Sequence, residues 1–137
     1  MRLAAGLAVA LGLLAGAAGP AAAGGLGAML NEVKSTDSGC RLVFAFSNRT
    51  GERFGAFGMN LAVLDGDDRP IQRVPARTRG LPAGVITATS FVVHGVACSR
   101  IAAIRLDGIF ACDAGGEAPA CDAVTTLSSR AGVPLRR

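Results

Sequence analysis

From Cys40 the chain alternates, with Cys40, Leu42, Phe44 and Phe46 on one side and Arg41, Val43, Ala45 and Ser47 on the other, so CRLVFAFSN reads as a half-buried β-strand. The same period of two recurs at Phe57, Met59, Leu61 and Val63, and again at Thr87, Thr89, Phe91 and Val93. A further strand is predicted in RIAAIRLDGIFAC, with Ile104, Leu106 and Phe110 on one side. Ile71 and Val74 make a short strand that Pro70 and Pro75 confine to a sheet edge, because proline cannot donate to a ladder. Met29, Leu30 and Val33 form a first element, possible as an edge strand, and residues 124–129 a last one. Turn chemistry separates these runs at Asn48 to Gly51, at Asp65-Gly66 and at Leu81 to Gly84. Past the first two dozen residues no stretch keeps helical periodicity over three turns. About seven short strands with turns between them predict an all-β fold, an immunoglobulin-like antiparallel β-sandwich.

Residues 1–23 follow a different rule. Arg2 precedes an uncharged Ala/Leu/Gly run that closes on Ala21, Ala22 and Ala23, the order of a secretory signal peptide. Gly6, Gly12, Gly16, Gly19 and Pro20 interrupt a run already short for about 30 Å of hydrocarbon, so cleavage after Ala23 is expected and no membrane span remains. Without a twin arginine the general secretion route is expected, to the periplasm or outside the cell. The domain organisation predicted is a signal peptide over 1–23, an N-terminal segment over 24–39, the sandwich over 40–131 and a tail over 132–137. Of 14 basic residues the leader removes only Arg2, leaving 13 against 10 acidic ones and a net charge of +3. That mild balance, with no Trp or Tyr and with six Phe read mostly as core residues, excludes nucleic acid as the expected partner.

Cys40, Cys98, Cys112 and Cys121 could form a metal clasp, a redox pair or structural staples. No C-x-x-C occurs, paired zinc knuckles are absent, and the chain's single histidine, His94, lies elsewhere. In an exported chain structural disulfides are expected. In an immunoglobulin-like sandwich the strand starting at Cys40 and the strand following Cys98 run the same way in opposite sheets. Their starts then share one end of the domain and Cys40 can reach Cys98. Cys112 and Cys121 would clasp the neck of a hairpin loop. In the chain-entropy account the long bridge contributes about 4.2 kcal/mol and the short one about 2.7.

Candidate chemistry is thin. Asp65, Asp67 and Asp68 with His94, or the cysteines, could serve a small metal-dependent or redox factor, but the acids sit in a tight turn without the later glycine and glutamate of a calcium loop. No cofactor and no catalytic residue is expected. Asn48-Arg49-Thr50 matches a glycan sequon, yet the Ala/Gly/Arg-rich, lysine-poor composition reads as bacterial and Asn48 as a turn former. Arg69, Arg73, Arg77 and Arg79, interleaved with prolines, either bind an anionic partner or guard a strand edge.

The Asn-x-x-Gly turn at Asn48, the LAVLDGDD strand and hairpin, and the LPAG turn before an F-x-V strand together resemble the FxLYD-like group of exported immunoglobulin-like domains, over about residues 26 to 131. The order is also similar to that of small four-cysteine bacterial envelope proteins. Val63-Leu64-Asp65 lacks the tyrosine of the group's core motif. The resemblance implies a binding or accessory module without cofactor or catalytic residues; with the arginine stretch, the partner expected is an unknown envelope protein or an anionic surface.

Overall fold

The computed structural model describes residues 25–113, 121–122 and 125–137; the expected signal peptide and the middle of the Cys112 to Cys121 turn lie outside them. Eight strands are present among the described residues: β1 (Leu26–Thr36), β2 (Gly39–Asn48), β3 (Phe57–Leu64), β4 (Pro70–Thr78), β5 (Ile86–His94), β6 (Ala103–Cys112), β7 (Thr125–Ser129) and β8 (Leu135–Arg136). They form two four-stranded sheets, ordered β5-β2-β1-β7 and β4-β3-β6-β8, so the protein is an all-β sandwich. The inward rows of β2 and β3 are those the alternation predicts: Cys40, Leu42, Phe44 and Phe46 are buried against Phe57, Met59, Leu61 and Val63. Phe44 stacks on Phe46, and Phe46 meets Phe57 of the other sheet edge-on at 5.8 Å. Full burial of each such side chain contributes about 1.5–3 kcal/mol.

Four features depart from the predicted sandwich. First, β1 is interior to its sheet, with β2 on one side and β7 on the other. Leu30 faces Phe44 and Val33 faces Leu42, so Asn31 is an extra residue, a bulge that returns Val33 to the inner side. Leu26, Ala28 and Leu30 alternate strictly before it and are all buried. Second, β7 does not form a hairpin with β6. It lies in the other sheet and pairs parallel with β1, so Cys112 and Cys121 do not clasp the neck of a β6–β7 hairpin.

Third, the segment read as a tail contains β8, which pairs parallel with β6, and Leu135 is buried opposite Ile104. The sandwich therefore mixes two parallel pairs with antiparallel ones. Fourth, Phe110 lies outside. Relative to β3, β6 carries extra residues at Asp107 and Phe110, and these bulges place Ile109 inward in Phe110's stead.

Both predicted disulfides are present, Cys40–Cys98 and Cys112–Cys121. Cys98 opens a single 3-10 turn, Cys98–Arg100, on the path from β5 to β6, and its Cα lies 4.9 Å from that of Cys40. No helix among the described residues is long and apolar enough to cross a membrane.

Candidate functional site

β4 is an edge strand, as its prolines predict, and it alternates: Val74, Ala76 and Thr78 are buried while Arg73, Pro75 and Arg77 project outward. Pairing places Ala62 of β3 between Arg73 and Arg105. Ala62 is fully buried although it faces outward, and with Leu64 and Ala103 it forms a small second apolar cluster. The bulged Asp107 accepts hydrogen bonds from both guanidiniums, from Nη1 of Arg73 and from Nε of Arg105 at 2.6 Å. Chiefly the Arg105 bond holds the Asp107 carboxyl below the usual carboxylate range, and the same bond raises Arg105.

Two outward positions along β4, the Arg77 guanidinium lies 5.3 Å from the centre of the Phe110 ring, a cation–π contact. The ring rests over Gly58, where a Cβ would meet the ring atoms at 2.5–3.0 Å, so the glycine makes room for it. Arg136 of β8 neighbours Arg105 in register and pairs with Asp68 at 2.6 Å. The outer face of β4-β3-β6-β8 thus carries Arg73, Arg77, Arg105 and Arg136 with Asp107, Asp68 at its hairpin end, and a partly exposed aromatic ring beside Arg77.

Of the predicted arginines, Arg73 and Arg77 stand on this face, while Arg69 and Arg79 flank β4 at its two ends. Arg69 closes the hairpin through its backbone: its carbonyl accepts from Asp65 N–H and its N–H donates to Asp65 Oδ1. Arg105, Phe110 and Arg136 are not in the arginine row read from sequence. The one signal for Phe110 was the Asp107-Gly108 step inside a strand pattern, which marks a bulge.

Asp65, Asp68 and the cysteines are spent on structure. Asp65 Oδ1 accepts from the Asp67 and Arg69 N–H groups at 2.8 and 3.0 Å, and these bonds lower its pKa. Asp68 takes a left-handed φ of 58° in the same turn. His94 is exposed at the end of β5, in the other sheet, and all four cysteines are bonded. Among the described residues no three His, Cys, Asp or Glu side chains lie together as a metal site.

Asn48 is buried, and its Nδ2 donates to the carbonyls of Glu52 and Leu81 while Oδ1 accepts from Thr50 N–H and Oγ1. The sequon asparagine is a fully used tie between loops. An open groove of about 430 Å³ lies on the outer face of the first sheet, over Gly27, Met29, Ala45 and Ser47. No protein-family model, curated protein or solved structure matches the chain.

Proposed function

We propose that the protein is an exported, non-enzymatic binding module of the bacterial envelope that presents the arginine-bearing face of its second sheet to an anionic partner. The observation that carries this reading is the convergence of Arg73 and Arg105 on one carboxylate beside Arg77 over Phe110. Two guanidiniums sharing one acid leave a surplus positive charge and several unused N–H donors, held in fixed planes on strands. Carboxylate or phosphate groups match such donors in pairs.

Two disulfides suit an oxidising compartment, which supports a place in the periplasm or the exterior; delivery by the general route with cleavage after Ala23 is part of the same proposal and rests on the leader sequence. An immunoglobulin-like architecture is supported by strand order, while the FxLYD-like resemblance rests on the sequence motifs alone. Neighbours β1-β2-β5 and β4-β3-β6 follow the A-B-E and C′-C-F order of that fold.

The test is crosslinking in the native envelope with wild type and an Arg73→Ser/Arg77→Ser double variant. The wild type should capture a defined anionic partner, and capture should fall with rising salt and in the variant. Equal capture by a correctly folded double variant refutes the reading.

A further inference from the structure

Four strands end the two sheets, and three of them offer little to a newcomer. β4 carries Pro70, Pro75 and outward arginines, β7 is five residues of Thr, Ser and Leu, and β8 is two residues long. β5 is different. Its nine residues, ITATSFVVH, contain no proline, and from Gly80 to Val93 there is no ionisable side chain. An edge strand presents a row of unpaired N–H and C=O groups, and this one is long, uncharged and rich in β-branched residues. Among the described residues three large apolar side chains are prominently exposed, and two of them, Val85 at 48% and Ile86 at 73%, stand at its start.

We propose that β5 pairs antiparallel with β5 of a second copy of the chain about a two-fold axis through Thr89, joining the two first sheets into one of eight strands. This inference is independent of the arginine face, which belongs to the other sheet. The occupant is a second copy because the strand complements itself. With the axis at Thr89, Ile86 of each molecule lies opposite Val92 of the other, Ala88 opposite Ser90, and Thr87 opposite Phe91, each pair occurring twice.

Ile86 and Val92 share the outer side, facing Ser47 and Arg41 of β2 in the register. The most exposed apolar residue is thus covered by an aliphatic partner, and the small Ala88 and Ser90 meet near the axis without crowding. Charge agrees: no ionisable side chain of β5 other than the terminal His94 is brought up to the seam, so the net positive charge of the chain does not oppose pairing there. The seam is confined to one nine-residue strand from each molecule, so a weak, concentration-dependent dimer follows.

Sedimentation equilibrium of the disulfide-bonded mature protein, from low micromolar to near-millimolar concentration, should show the apparent mass rising toward twice the monomer. An Ala88→Lys variant, which sets lysines near the axis, should stay monomeric across that range with an unchanged melting temperature. Ala45→Lys, on the same sheet face but one strand inward, should dimerise as wild type does. A Thr89→Cys variant should form a crosslinked dimer on oxidation. A wild type that remains monomeric throughout overturns the proposal, as does a dimer that Ala45→Lys abolishes and Ala88→Lys does not. Failure of Thr89→Cys to crosslink within a sedimenting dimer also overturns it, by removing the axis.

Discussion

Asn48 shows how much a single amide can hold. Its side chain meets two carbonyls and two donors, and its own backbone carbonyl accepts from Gly84, so the loop after β2 and the loop before β5 are fastened to one buried residue. Replacing it with alanine removes all of these side-chain bonds and leaves the Leu81 carbonyl with the Phe54 N–H alone, at a net cost of about 0.5–1.5 kcal/mol for each bond lost. Asn48→Asp should be at least as harmful, because it turns an oxygen toward the Glu52 and Leu81 carbonyls. Urea denaturation of both variants measures this. Asp107 has its consequence in acid. Its pKa is lowered in the folded protein, so its ionised form adds stability above the unfolded value of about 4, and that contribution is lost as pH falls through the folded value. Thermal melts on a descending pH series should therefore show a smaller acid loss in Asp107→Asn than in wild type.

At the scale of elements, glycine positions decide where strands can lie. Gly39 opens β2 at φ 150°, and a Cβ there would fall on the Val93 carbonyl oxygen of β5. Gly39→Ala must push β5 away beside Cys40, and a strained backbone alone is worth about 1–3 kcal/mol. The melting temperature should drop by more than for Gly66→Ala, whose Cβ would meet nothing. Strands β2, β3 and β5 were legible because their inward residues keep period two without interruption, although the outer row of β3 is largely buried as well. β1 and β6 were less so, because the bulges at Asn31, Asp107 and Phe110 break the period and a bulge depends on the partner strand, not on local pattern. The same limit applies to the arginine face: Arg73 and Arg77 sit together in sequence, whereas Arg105, Phe110 and Arg136 join them only through pairing across the sheet. Parallel pairing of β7 with β1 and of β8 with β6 leaves no local trace in the residues concerned.

For the whole molecule, the two disulfides fasten different things. Cys40–Cys98 closes 58 residues and lies in the main core, where Cys40 is fully buried, while Cys112–Cys121 closes 9 and spans the crossing to β7. The entropy removed from the unfolded chain is larger for the first by about 1.5 kcal/mol, and each bridge has one core cysteine, Cys40 or Cys121, whose truncation adds the cost of a void. The crossing has other supports. β7 pairs with β1, Thr125 Oγ1 donates to the Cys121 carbonyl at 2.6 Å, and Arg137 Nη2 donates to the Thr125 and Asp122 carbonyls. Cys112→Ala/Cys121→Ala should therefore stay folded with its sheets intact, at a loss of about 3 kcal/mol in guanidinium denaturation. Cys40→Ala/Cys98→Ala should lose about 4 kcal/mol or more, a large part of the 5–15 kcal/mol typical of a domain. If the short bridge proved the more costly to remove, the crossing between sheets would be the weak point of the fold and the core end at Cys40 would hold without its bond.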